Sequence, residues 1–286
     1  MYNFLYRLRQ FIAFYATADT VYQVHSPFVF KWVNAVLEDR RWYYAFTDIE
    51  AVRQKMLGSA AVLDVVDYGG GAEGHAPSSR KAPLRRLARV VSSGPRQGRW
   101  LFRLAQWLKP DRILELGGGV GIGTMYLAAG APRASVVALE GSEACAHVWR
   151  ANLSLLGLAA NSAVRAGPFS QTLAPALAQL RSVDLVFFDG HHRQEATLSY
   201  FEKCLPHLRG QTVAVFDDIY WSPQMLAAWQ QIRRHPRVTL TIDCYDLAFV
   251  FFGSEFKSKQ HFRLVPSAWK PWKRWYSSGT PLINTP

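Results

Sequence analysis

From Asp111 onward the chain alternates between two patterns of apolar and polar positions. Short apolar runs rich in β-branched and aliphatic residues ("RILELG", "SVVALE", "SAVRAG", "DLVFFDG", "TVAVFDD") are each followed by a stretch with helical spacing. Those stretches are "IGTMYLAAG", "SEACAHVWRANLSLLG", "TLAPALAQL", "QEATLSYFEKCLPHL" and "SPQMLAAWQQIRRH". Strand and helix in repeated succession predict an α/β fold, a parallel sheet with helices on both faces. Two last runs, "RVTLTID" and "LAFVFFG", leave no room for a helix between them, which predicts an antiparallel strand at the end.

The first part of the chain does not follow this rhythm. Residues 1–105 read as a mostly helical region with aromatic-rich stretches such as "HSPFVFKWV" and "RRWYYAF". The expected division is therefore 1–105, a helical region or lid; 106–253, the sheet domain; and 254–286, a basic extension rich in tryptophan. The opening "MYNFLYRLRQFIAFYATAD" is apolar but broken by Arg7, Arg9 and Asp19, which predicts an amphipathic helix rather than a signal peptide or a membrane span. Cys145, Cys204 and Cys244 are far apart and form no CxxC. That suits a reduced, cytoplasmic protein and not a disulfide framework.

Two glycine clusters stand out. "DYGGGAEG" starts at Asp67 and "ELGGGVGIGT" at Glu115. A strand–glycine loop–helix unit binds a nucleotide-like group because glycine admits close backbone approach and the helix start offers free N–H groups. An acid at the end of the next strand then holds the ribose hydroxyls. The later cluster meets both conditions: Gly117, Gly119 and Gly121 alternate, and Glu140 closes the next strand, 25 residues after Glu115. The earlier one is followed by a basic stretch with two prolines and no acid at the right distance. It reads as a loop or lid near the site, or as a plain turn.

"ILELGGGVGIGT" with Glu140 resembles the class I S-adenosylmethionine (SAM)-dependent methyltransferases, whose loop reads acid-x-Gly-x-Gly-x-Gly. The resemblance spans about residues 105–253. It implies a Rossmann-like, seven-stranded, mostly parallel sheet with one antiparallel strand, and SAM held by Glu115, Gly117, Gly119, Gly121 and Glu140. Many members carry an acid after the third strand, near the adenine; here "RAGPFS" stands there, with Pro168 in its place. Phe169 is a candidate for that contact and equally for the core.

Strands four and five end in "FFDGHH" and "VFDDIYW". Neighbouring parallel strands finish at one edge, so Asp189, Asp217 and Asp218 are expected to converge. Three carboxylates repel unless neutralised, and a hard divalent cation such as Mg²⁺ is the economical partner. Helix capping is the alternative use of Asp217 and Asp218, but Ser222-Pro223 already makes a good helix start. The arrangement resembles the metal-dependent O-methyltransferases of catechol and antibiotic-sugar type. That resemblance implies His192, three residues after Asp189, as general base, with His191 as the adjacent alternative.

The expected activity is metal-assisted O-methylation of a small-molecule hydroxyl, the acceptor being an anion if the basic stretch from Arg80 greets it. A net charge of +12 keeps nucleic-acid methylation open. No (Asp/Asn)-Pro-Pro-aromatic stretch follows strand four, which argues against attack on a base amine. A non-catalytic scaffold is the third reading. There Trp269, Trp272 and Trp275, set among Lys270, Lys273 and Arg274, would bring the tail to a membrane surface or a partner.

Overall fold

The computed structural model describes residues 2–68, 78–91, 93–254, 256 and 258–274. Most of the first glycine cluster, Gly69 to Gly74, and Trp275 lie outside them. The chain opens with helices α1 (Tyr2–Thr17), α2 (Pro27–Val36) and α3 (Tyr44–Leu57). Then come the antiparallel strands β1 (Val62–Asp67) and β2 (Ser78–Pro83), the short turn α4 (Leu84–Arg86) and helix α5 (Pro95–Leu108). The β1/β2 pair departs from the helical reading of this region. Apart from Ala82, the described residues of β2 are exposed or half-buried, so the strand carries no strong apolar run and its sequence gives little signal.

The alternating part follows: β3 (Arg112–Leu116), α6 (Ile122–Gly130), β4 (Ser135–Glu140), α7 (Glu143–Leu155) and β5 (Ser162–Ala166). It continues with α8 (Phe169–Leu180), β6 (Val183–Phe188), α9 (Gln194–Cys204), β7 (Leu208–Asp217) and α10 (Pro223–Arg234). The last strands are β8 (Leu240–Asp243), β9 (Leu247–Phe251) and β10 (Gln260–Arg263). The sheet order is β10-β8-β9-β7-β6-β3-β4-β5, with β9 antiparallel to both neighbours and every other pairing parallel. The sheet thus has eight strands, not seven. The extra one, β10, comes from the C-terminal extension, where a half-exposed edge strand has no continuous apolar run to announce it.

Successive residues of each strand point to opposite faces, so the sheet has two cores. One face carries Ile113, Leu185, Phe187, Val215 and Phe249 under α2, α3, α5, α6 and α7. The other carries Leu114, Leu116, Val186, Phe188 and Phe216 under α8, α9 and α10, and Phe14 of α1 and Ala18 just after it join it there. The N-terminal helices therefore split between the two faces. Strand order turns at β3: β4 and β5 lie to one side of it, β6 and β7 to the other. In open α/β sheets ligands bind at the carboxyl ends of the strands beside such a turn.

Candidate functional site

The β3–α6 loop is shaped by its glycines. Gly117, Gly119 and Gly121 have φ of 104°, 51° and 94°, conformations that L side chains rarely adopt. A Cβ on Gly117 would sit 2.2 Å from the carbonyl oxygen of Asp189, so this glycine lets β3 and β6 end against each other. A Cβ on Gly119 would meet nothing within 4 Å. Gly121 begins α6 and packs on Trp149 and Leu153.

Glu140, at the end of β4, reaches this loop. Its carboxylate accepts from the backbone N–H of Gly119 and from that of Ser142, each at 2.8 Å. A cavity of about 210 Å³ opens beside it. Gly117, Gly119, Glu140, Phe169, Asp189, His191 and His192 all line it. Val66, Tyr68 and Arg80 of the β1–β2 region also line it, which puts the residues entering the first glycine cluster beside the site. Phe169 serves two roles: it lines the cavity and packs in the core, edge-on to the His191 ring at 4.9 Å between centroids.

Two of the residues expected to hold the cofactor do not line this cavity. Glu115 is buried behind the loop, where it accepts from the Thr124 hydroxyl, while Trp149 Nε1 donates to that hydroxyl oxygen at 2.7 Å. Burial, partly offset by the Thr124 bond and reinforced by Glu140, pushes its carboxyl up to about 8. Gly121 likewise does not line the cavity.

Asp189, Asp217 and Asp218 do come to one sheet edge. The carboxyls of Asp189 and Asp217 are hydrogen-bonded, and burial and the neighbouring carboxylates hold both well above the ordinary range. Asp218 is also raised by burial, but His192 and Arg7 pull it back down. Burial lowers the His192 imidazole and Asp218 opposes that shift. Ser222 Oγ accepts from Met225 N at 3.2 Å and caps α10, so neither Asp217 nor Asp218 is a cap. Among the described residues, no three histidine, cysteine, aspartate or glutamate side chains are arranged to hold a metal ion.

Three contacts have no clear signal in the sequence. Gln97 Nε2 donates to Asp217 Oδ1 at 3.2 Å, 120 residues away in the chain. Arg7 of α1 stacks on Trp221, 4.6 Å from the ring centroid, and acts on Asp218. The Ser142 hydroxyl accepts from Val66 N at 3.4 Å, joining the β1–β2 region to the end of β4. Each is a long-range meeting of ordinary residue types, and only the fold brings the partners together.

An eight-stranded α/β sheet with a glycine loop, an acid closing the next strand and carboxylates at one edge resembles the class I, SAM-dependent O-methyltransferases. Residues 114–219 match the family described as "Methyltransferase domain". The chain is 36% identical over 142 residues to a catechol O-methyltransferase of Mycobacterium tuberculosis (strain ATCC 25618 / H37Rv). That match covers 49% of this chain and 62% of the relative, so the chain spans less than two thirds of the length of that protein. An O-methyltransferase from Bacillus cereus, solved in complex with SAH, shares the fold with a TM-score of 0.53. It is 22% identical over 78% of this chain and 96% of its own. The SAH-bound methyltransferase PaMTH1 of Podospora anserina gives a TM-score of 0.55 at 18% identity, covering 81% of this chain and 98% of its own.

Proposed function

We propose that this protein is a SAM-dependent O-methyltransferase that acts on the hydroxyl of a small molecule with the help of a divalent cation. The carrying observation is one cavity lined by Gly119 and Glu140 and also by Asp189 and His192. It joins a nucleoside-type cradle to acid–base groups. The catechol O-methyltransferase relative and the SAH-bound neighbours support this reading.

Glu140 is the ribose-binding acid, already held in place by Gly119 N and Ser142 N. Gly117 and Gly119 let the backbone approach the cofactor, and Phe169 offers a face or edge to its base. Glu115 acts through the loop: fixed to Thr124, it holds the turn from beneath rather than touching the ligand.

The donor types suit Mg²⁺: they are all carboxylate oxygen, and burial and mutual repulsion hold Asp189 and Asp217 towards their protonated forms, a preference that a nearby cation would reverse. Asp189 and Asp217, now joined by a hydrogen bond, would hold the ion once deprotonated. When bound, the ion lowers the pKa of a nearby hydroxyl. His192 takes the proton of that hydroxyl: burial keeps the imidazole neutral, hence a base, and Asp218 steadies the imidazolium once formed. His191 lines the same cavity, and Tyr200 Oη lies 3.4 Å from its Nδ1, a contact that suits a positioning role.

Calorimetric titration of SAM into the purified protein, with Glu140→Ala alongside, tests the reading. Micromolar binding that the variant loses is the expected result. No binding by folded, ligand-free protein would overturn it.

A further inference from the structure

Helix α1 has two faces. Its inner face sends Phe14 into the core, where Ala18 just beyond the helix joins it, and Phe11 packs edge-on against Tyr245 at 5.1 Å between centroids. Its outer face carries Phe4, Leu8 and Ile12 at i, i+4 and i+8, with Leu5 beside them. These four apolar side chains are between 42% and 69% exposed. The helix has two arginines and no acid.

The basic tail is fastened to the C-terminal end of this helix. Lys270 Nζ donates to the carbonyls of Tyr15 and Ala18, and Lys273 Nζ donates to Asp19 Oδ1 at 2.6 Å. The Tyr15 hydroxyl donates to the carbonyl of Trp269 at 2.5 Å. Trp269 is half-buried under the Arg96 guanidinium, whereas Trp272 is 53% exposed in the turn docked on α1. The turn fastened to the end of α1 thus presents an exposed tryptophan.

The same helix walls a groove. A cavity of about 420 Å³ is lined by Phe4, Arg7, Leu8, Phe11, Trp221 and Tyr245. The Trp221 ring lies 6.4 Å from that of His192, so the groove leads from α1 towards the acid–base end of the site.

A stripe of this kind on a water-soluble surface calls for a cover. The helix is free of acids and belongs to a chain of net charge +12, so its charge complements anionic headgroups while Phe4, Leu5, Leu8 and Ile12 enter the acyl boundary. We infer that α1, with Trp272, docks this protein on an anionic lipid surface, and that the acceptor enters the α1–Trp221 groove from there. The acceptor would then be an amphipathic hydroxyl compound with an apolar body. That last step rests on the O-methyltransferase reading; the docking itself does not.

The test is flotation of the full chain with phosphatidylcholine vesicles, with and without phosphatidylglycerol, beside the double variant Leu5→Glu/Ile12→Glu. Both positions are exposed and outside the groove. Circular dichroism and SAM titration check that the variant is folded. The expected result is flotation with the anionic vesicles, weakened by salt and reduced about tenfold or more in the variant. Wild-type protein that does not float, or a variant that floats equally well, overturns the inference. So does a vesicle-independent dimer that the variant dissolves, because the stripe would then belong to a second copy. A wild-type protein that floats but binds no SAM keeps the docking and removes the enzyme reading.

Discussion

The Glu140 carboxylate accepts the Gly119 N–H at 2.8 Å, so the end of β4 and the tip of the glycine loop are one unit before any ligand arrives. Its other oxygen is taken by Ser142 N, also at 2.8 Å. Preorganisation of this kind makes the acid's geometry matter as well as its charge. Glu140→Gln keeps the size but loses the charge and one of the two acceptors, since its NH₂ cannot accept a backbone N–H. It should weaken SAM binding about tenfold or more, the size of a lost charge-assisted hydrogen bond. Glu140→Ala should weaken it further. Calorimetry on both variants checks the order; equal affinity for wild type and Glu140→Ala would remove Glu140 from the site.

Gly117 and Gly119 separate folding from binding. Both have positive φ, but a Cβ at Gly117 would strike the Asp189 carbonyl at 2.2 Å, whereas at Gly119 it would enter open space. Gly117→Ala should cost stability, about 2 kcal/mol or more, because backbone must shift. Gly119→Ala should cost about 1 kcal/mol from its φ alone and act chiefly by placing a methyl in the ligand's path. Urea unfolding and SAM titration on each variant should rank them in opposite orders.

Burial decides which parts of this fold are visible in the sequence. β3, β4, β6, the second half of β7 and β9 are near-continuous apolar runs because strands inside this sheet are covered on both faces, and that pattern is visible without a structure. Glu140 was legible because it closes a strand at a fixed distance from a glycine loop. Glu115 looked like a ligand by the same motif, yet Thr124 and the Cβ-less Gly123 give it a pocket behind the loop. No spacing rule encodes which way a strand-end acid turns. The edge strands β2 and β10 were missed because their side chains are largely uncovered, so periodicity had nothing to mark. Gln97 and Arg7 reach the carboxylates only through the packing of α5 and α1, which bring in residues from far along the chain.

The carboxylate edge predicts a metal requirement. Chelation should abolish turnover of a hydroxylated acceptor, and added Mg²⁺ should restore it. Asp189→Asn keeps a hydrogen-bonding partner for Asp217 but removes a negative oxygen donor. It should lower metal-dependent turnover by about a hundredfold or more and leave SAM affinity nearly unchanged. Single-turnover kinetics and calorimetry on the same preparation separate the two effects. Full turnover by the chelated enzyme would exclude the metal and leave His192 to act alone.

Glu115 predicts the pH dependence of stability. Its native carboxyl is pushed up to about 8 by burial, against an ordinary value of 4.5. Below 4.5 both states hold the proton, and the contribution of this group is fully present. Between 4.5 and 8 the unfolded chain has released the proton while the native state keeps it. Stability from this group then falls with rising pH, by about 1.4 kcal/mol per unit. Above 8 both states are ionised and the slope vanishes. Glu115→Gln cannot titrate, and its amide oxygen can still accept from Thr124. The stability difference, wild type minus variant, should therefore decline steadily from pH 4.5 to 8 and then level off. Urea midpoints across that range measure it. Parallel curves would mean that Glu115 is charged in the native protein and that the loop is held from beneath by an ion instead of a neutral acid.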